Sequence, residues 1–278
     1  MFDERYHGRF RSRVFSFFIF WPAAIFAVFE DGNLGAQAGA MANAICAKPH
    51  SIENITLNPA AMHNSRRMVS HINYSNLYSI PELQSTNIYL SSSFHNKTIG
   101  VGLHSFGNEI YSEIMGTAAL TFPIINNVNL GSSVRYGQVG IKGYGQAGTV
   151  LVDVGVLIQI KNNLYWGGAV RNIFEASLGE TGEKLPQTIL AGFHFSPVAP
   201  LSISLDIEKH TTFPADFRTG VQYNLFNVLH LRVGMSTEPQ RMTAGFGLGF
   251  SFGGIDYGYN SHVDLGATHL FSVWFSIK

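Results

Sequence analysis

From Met68 to the end of the chain the dominant hydrophobic period is two. In "LSISLDIE", Leu201, Ile203, Leu205 and Ile207 alternate with Ser202, Ser204, Asp206 and Glu208. In "MTAGFGLGFSF", Met242, Ala244, Phe246, Leu248, Phe250 and Phe252 alternate with Thr243 and a set of glycines and serine. "VDVGVLIQI" and "LHLRVGM" repeat the pattern, the latter placing His230 and Arg232 opposite Leu229, Leu231, Val233 and Met235. Side chains two apart share one face of a strand, so each segment has an apolar face and a more polar one. About 14 such segments follow one another. They start near Met68, Gln84, Lys97, Ile114, Asn127, Thr149, Leu164, Gln187, Pro200, Asp216, Asn227, Arg241, Gly254 and Ala267.

Most are close to the roughly 9 to 11 residues that a tilted strand needs to cross a bilayer. Their connections alternate in length. "HNK", "INN", "KNN", "SPVAP", "LFN" and "FGG" are tight, whereas "SIPELQ", "FGNEIYSE", "GIKGYGQAG", "EASLGETGEKLP", "KHTTFPA", "STEPQ" and "SHVDLGA" are longer. Short periplasmic turns against longer external loops are the habit of outer-membrane barrels. A soluble β-sandwich also alternates, but it has no reason to sort its loops by parity. The charges point the same way: Arg135, Asp153, Asp206, Arg218, Arg232 and Asp256 fall on the polar phase of their segments, as do His104, His194 and His230. The expected fold is therefore all-β, a transmembrane antiparallel barrel of about 14 strands over residues 68–278, with these nine side chains facing the lumen.

Composition agrees with a lipid-facing β protein. Charged residues are only 13% of the 278, about half the usual share, while Gly (29), Phe (22) and Tyr (11) are plentiful. The 18 basic and 18 acidic side chains cancel, which leaves no global positive field to hold nucleic acid. The one cysteine, Cys46, excludes a disulfide within the chain and reads as a small buried residue.

Residues 1–27 read as a secretory signal peptide. Arg5, Arg9, Arg11 and Arg13 precede the apolar run "VFSFFIFWPAAIFAVF", which is short for a membrane anchor and is interrupted by Pro22. The cut is placed after Ala27. Residues 28–67 lack sustained alternation and include "DGNLGAQAGAMANAICA", whose small side chains let backbones pack closely. Such a stretch suits a plug tucked inside the lumen.

A Gly-Ala-rich start, an Asn-Pro-Ala about twenty residues on, and then barrel strands resemble the FadL-like outer-membrane superfamily, and within it the PorV/PorQ branch. Gly35, Ala36, Gly39 and Ala40 lie in the small-residue start; Asn58, Pro59 and Ala60 match the tripeptide; and "LGATHLFSVWFSIK" is similar to the final strand. The resemblance implies a 14-stranded barrel with an N-terminal plug, in the outer membrane of a Gram-negative bacterium. Asn58-Pro59-Ala60 would be the hinge between plug and wall, with Pro59 biasing Asn58 to an extended backbone. It further implies a part in type IX protein secretion, with secretion-system or exported proteins as partners beside outer-membrane lipid. Contacts would come from the loops around Glu175 to Pro186 and Gly140 to Gly148. The alternative is a FadL-like transporter of hydrophobic small molecules. An apolar pocket would favour the transporter, and a filled lumen with apolar external loops the secretion partner.

No catalytic residue, metal ligand or cofactor is assigned. The one G-x-S-x-G, Gly249 to Gly253, closes an alternating strand at a tight hairpin, whereas a nucleophile elbow needs a strand-to-helix turn. No histidine pair has the H-x-x-x-H spacing of a helical metal site.

Overall fold

The computed structural model describes residues 28–29, 34–63, 68–179 and 182–277. The signal-peptide assignment and its cut after Ala27 lie outside them. Fourteen strands close into one antiparallel barrel. In chain order the strands are β1 (Met68–Asn76), β2 (Gln84–Phe94), β3 (Lys97–Gly107), β4 (Tyr111–Ile125), β5 (Val128–Ile141), β6 (Gly145–Lys161) and β7 (Leu164–Arg171). A two-stranded hairpin follows, β8 (Ser177–Leu178) with β9 (Glu183–Lys184), outside the barrel sheet. The wall resumes with β10 (Thr188–Val198), β11 (Leu201–His210), β12 (Ala215–Leu225), β13 (Leu229–Thr237), β14 (Gln240–Gly249), β15 (Gly253–His262) and β16 (Gly266–Ile277). Pairing of β1 with β16, from Met68↔Ile277 to Asn76↔His269, closes the sheet and leaves no free edge.

The strand count matches the alternation: four of the fourteen starts (Met68, Gln84, Lys97 and Leu164) coincide, seven are one residue off, and that of β13 is two off. The larger offsets are at β4 and β6, which begin at Tyr111 and Gly145, ahead of Ile114 and Thr149. Both strands run past the bilayer-length window into their long loops, where Tyr111, Ile141 and Gly145 still pair. With 15 and 17 residues they overshoot the ~9 to 11 needed to cross.

Outward positions are apolar and exposed: Ile72, Ile88, Val101, Val134, Phe193, Leu205, Leu231, Val233, Phe246 and Phe271 are among them. A continuous exposed apolar belt of this kind is far larger than a water-soluble surface tolerates. Inward positions are mostly polar and buried. Among the described residues no helix is long and apolar enough to cross a membrane.

The interior is occupied by the chain's own N-terminal segment, from Leu34 to His63. It is built from one short helix (Ala36–Gly39) and two 3-10 turns (Ile52–Ile55 and Pro59–Met62). Ala36, Ala38, Ala40, Met41, Ala44, Cys46, Ile55, Asn58 and Ala60 are fully buried there.

Candidate functional site

The segment is held by wall side chains that bond its backbone. Ser272 Oγ accepts from Ala36 N at 2.8 Å, Thr243 Oγ1 accepts from Ala42 N at 3.1 Å and donates to Ala40 O at 3.0 Å, and Asp206 Oδ2 accepts from Cys46 N at 2.7 Å. These bonds matter because a lumen segment too short for regular structure carries backbone groups that would otherwise be buried without partners. Gly35, Ala36, Gly39 and Ala40 lie along the stretch facing β14, β15 and β16, where their size permits close backbone approach.

Asn58-Pro59-Ala60 sits at the other end of the segment. Asn58 is extended (φ −138°) and caps the Pro59–Met62 turn by accepting from Ala60 N. Its Nδ2 donates to Cys46 O at 2.7 Å and to Val156 O of β6 at 3.1 Å. Thr121 of β4 donates to Pro59 O. One asparagine thus ties the tripeptide to the segment's middle and to the wall at once.

The wall has a matching feature that the sequence reading did not single out. At eight inward positions the wall residue is glycine and the segment touches its backbone. A Cβ at Gly131 would stand 2.2 Å from Ala60 N, at Gly155 2.1 Å from Asn58 Oδ1, at Gly167 2.5 Å from Cys46 O and at Gly234 2.5 Å from the Met41 carbonyl carbon. Gly100, Gly220, Gly245 and Gly258 make the same close approach to Met62, Met41, Ala40 and Ala36. The signal was present in the alternation: a glycine on the lumen phase of a strand marks a place where another backbone comes close.

Five of the six inward charges expected from the sequence are ion-paired, and the sixth, Asp206, accepts from the Cys46 backbone N–H. Arg135 of β5 meets Asp153 of β6 at 2.7 Å, both buried, and Asp153 also accepts from Ser133 Oγ and Asn172 N. Arg218 bridges Glu208 and Asp216 at 2.7 and 2.6 Å. Arg232 meets Asp256 at 2.6 Å, and Asp256 accepts from Gln37 of the segment at 2.9 Å. His104 bonds Asn87, His194 bonds Ser204 and His230 bonds Asn224. Among the described residues no group of three metal-ligating side chains forms. The bulkier inward residues do not gather into one pocket: Leu157 packs with Tyr165, Ala60 and Ala61, while Leu190 joins Leu34, Ile45 and Leu57. Trp274 lies against His71.

The segment itself carries two displaced ionisations. Burial pushes the Glu53 carboxyl up to about 7, with the nearby Lys48 charge opposing. Burial pulls the Lys48 ammonium down to about 8, with Arg232 adding to the fall. Neither residue was marked by the sequence reading, since an isolated Lys or Glu outside the alternation has no periodic signature.

A cavity lies on each side of the segment. At the long-loop end a cavity of ≈ 370 Å³ is floored by Ala42, Asn43 and Leu57. Its sides combine Val28, Phe29, Leu151, Leu185 and Phe213 with Arg135, Arg171, Glu208 and Arg218. The longest loop roofs it: Asn172 donates to the carbonyls of Leu185 and Pro186, and Leu178 and Leu185 pack on the Phe29, Met115, Val139 and Leu151 cluster. At the tight-turn end a cavity of ≈ 440 Å³ is lined by His50, His63, Leu157, Tyr165 and amide side chains, Asn127 and Gln159 among them.

The sequence matches no protein-family model and no curated protein. Solved structures do resemble the fold. The CymD monoaromatic hydrocarbon channel superposes with TM-score 0.65 at 11% identity, covering 88% of this chain and 97% of that one. The Ralstonia pickettii toluene transporter TbuX gives 0.61 at 10% identity, with 82% and 94% covered. A Pseudomonas aeruginosa FadL homologue gives 0.59 at 11%, with 88% and 97% covered. What they share with this chain is the fold, a closed antiparallel β-barrel. The narrower likeness to the PorV/PorQ branch, and with it type IX secretion, finds no support in these comparisons.

Proposed function

We propose that the protein is an outer-membrane channel for hydrophobic small molecules in a Gram-negative bacterium. Segment 34–62 is its plug, and Asn58-Pro59-Ala60 is the hinge at which the plug leaves the wall. The observation that carries this reading is the cavity at the long-loop end, which the plug floors and the longest loop roofs. Ligand sites of roughly 300–1,000 Å³ that mix apolar walls with a few oriented polar groups hold small molecules, and this cavity has that size and that lining. Its position fits a capture site, with Phe29, Leu57, Leu151 and Phe213 as the apolar contacts. The fold shared with channels for monoaromatic hydrocarbons supports the same class of cargo.

One observation favours the secretion-partner reading. Apolar side chains stand exposed in the connections at the long-loop end, Tyr144 at 90%, Val263 at 77% and Phe174 at 74%. Tyr144 lies in the stretch Gly140 to Gly148 named for such contacts, although all of it but the turn 142–144 is paired in β5 and β6.

The two readings separate on protein extracted gently from native outer membrane and weighed by mass spectrometry. A bound apolar molecule, lost when Leu151→Arg charges the cavity, supports transport. Stoichiometric secretion components or exported proteins with no apolar ligand refute it.

A further inference from the structure

Two histidines of the lumen segment meet at the tight-turn end of the barrel. His50 precedes the Ile52–Ile55 turn and His63 follows the Pro59–Met62 turn. They are 13 residues apart and share no helix, so no local spacing marks them in the sequence. In the fold their ring centres stand 6.5 Å apart. Each ring has its Nδ1 engaged by the protein. His50 Nδ1 donates to His63 O at 2.8 Å, and His63 Nδ1 lies in hydrogen-bond contact with Thr98 Oγ1 of β3 at 3.0 Å. A carbonyl only accepts, so the neutral His50 ring keeps its proton on Nδ1 and a lone pair on Nε2. Neither Nε2 has a hydrogen-bond partner among the described residues.

An imidazole whose other nitrogen is fixed by a carbonyl or a similar acceptor is the usual form of a metal ligand. Two imidazoles on one ion at ~2.0–2.1 Å have ring centres about 5–6.5 Å apart, from a tetrahedral to a trans pair. The observed spacing lies at the top of that range. Both rings line the cavity of ≈ 440 Å³, whose described lining includes no Lys or Arg to repel a cation. His50, Asn96 and Asn127 in that lining are exposed, so an ion has a way in from the tight-turn side. The wall is shaped around this space: β4 shifts register between Pro123 and Ile125, and β6 between Gln159 and Lys161. Such bulges re-aim side chains at the rim of a barrel. Burial, with the nearby His50 adding to it, holds the His63 imidazole below its ordinary value, which keeps it neutral and able to ligate.

We propose that His50 and His63 form a two-histidine site for a divalent transition-metal ion of the Cu²⁺ or Zn²⁺ class, with water in the cavity completing the coordination. Imidazole suits these ions, whereas Mg²⁺ and Ca²⁺ take oxygen ligands. The bound ion joins the two ends of residues 50–63, the stretch that contains Asn58-Pro59-Ala60, and so holds that stretch closed. The site is separate from the cavity at the long-loop end and stands whatever that cavity carries.

The test is calorimetric titration of the full-length mature protein, free of any histidine tag, with Cu²⁺ and with Zn²⁺. The double variant His50→Ala/His63→Ala is titrated beside it, because the chain's other histidines can bind ions weakly. The expected result is one ion per chain, bound at least about tenfold more tightly by wild type than by the double variant. The electron paramagnetic resonance of bound Cu²⁺ should show two imidazole nitrogens in wild type and one in His50→Ala. With Zn²⁺ at about ten times its Kd, exchange protection of residues 50–63 should rise by about tenfold in wild type and stay unchanged in the variants. Folding of each variant is read from its heat-dependent gel mobility. Should His63→Ala fail to fold, His50→Ala, at an exposed position, decides by the same three readings. A folded wild-type barrel that binds these ions no more tightly than the variant, keeps its Cu²⁺ spectrum after His50→Ala, or gains no protection from Zn²⁺ overturns the proposal.

Discussion

Replacing Asn58 with alanine tests whether the segment is a separately held element or part of the wall. The side chain is fully buried and makes three bonds: to Cys46 O, to Val156 O and from Ala60 N. Each is worth roughly 0.5–1.5 kcal/mol net, and loss of a cap costs ~1 kcal/mol, so the substitution should weaken docking by about 2–4 kcal/mol. At ~1.4 kcal/mol per decade, that raises the undocked population by about 30- to 1,000-fold. Hydrogen exchange read by mass spectrometry on the bilayer-embedded protein reports the change directly. Peptides from residues 36–62 should lose protection by that factor, while β11 to β16 keep theirs. Gly155→Ala should reproduce the effect, because its Cβ would stand 2.1 Å from Asn58 Oδ1. The two together should cost less than the sum, since they break one contact. Protection of residues 36–62 within about threefold of wild type would refute the argument. So would an equal loss in the wall strands, because the segment would then open only when the barrel does.

Three other outcomes follow from the same structure. Arg135→Ala leaves the buried Asp153 without its cation and should destabilise the barrel by about 3–5 kcal/mol, measured by urea unfolding in lipid vesicles; a cost below about 1 kcal/mol would contradict it. Val233→Arg, on the outward face midway along β13, should cost about 2–4 kcal/mol in vesicles, and Met242→Arg, near the long-loop rim of β14, only about 0–1; equal costs would argue against the assigned membrane position. For pH, Glu53 titrates near 7 in place and at an ordinary carboxylate value once released, so its contribution to docking is full in acid and is lost as pH rises through 7. Lys48, held near 8, carries the opposite sign: its penalty is relieved as pH rises above 8. The groups that act on the pair are Arg232 and Asp256, with Tyr89 beside Glu53. Exchange protection of residues 36–62 should therefore be lowest between about pH 7 and 8, and a flat profile would remove these two groups from the docking energetics.

The wall was legible because its physics is local and periodic. A strand with lipid on one face and a lumen on the other must alternate; Leu201 to Glu208 do so without exception, and Val152 to Ile160 with one, the inward Leu157. Loop parity then distinguished a barrel from a sandwich. The start of β6 was read late because Gly145, Gln146 and Ala147 pair with β5 above the apolar belt, where nothing forces alternation. The interior was less legible. Which inward charge meets which is a matter of register between strands: Arg135 stands opposite Leu151, one inward position from Asp153. Glu53 and Lys48 lie in a segment with no period at all. The cavities depend on where that segment folds back, which is a long-range property that no window of sequence contains.

The way the segment is held bears on how anything passes it. Its stretch from Gly35 to Ala40 is almost all glycine and alanine, so it buries little apolar area per residue, and each buried methylene contributes only about 0.8 kcal/mol. That stretch is anchored by directed bonds from Ser272 and Thr243 and by glycine contacts that allow close fit, whereas further along Ile45, Ile52, Ile55, Leu57 and Met62 are buried in clusters with wall side chains. The glycine–alanine stretch is thus well placed and modestly held. Under the proposed function, a hydrophobic ligand in the cavity above would touch Ala42, whose N–H bonds Thr243 of β14, Asn43, and Leu57, which adjoins Asn58. If it binds the displaced arrangement more tightly than the docked one, the difference in affinity alone sets how far the segment moves. With a docking energy of a few kcal/mol, a ligand preference of about a hundredfold, ~2.7 kcal/mol, would suffice to open the path. The large apolar side chains further along, Ile45, Ile52, Ile55, Leu57 and Met62, are buried and would not yield to so small a preference, so the movement it can drive is confined to the glycine–alanine stretch.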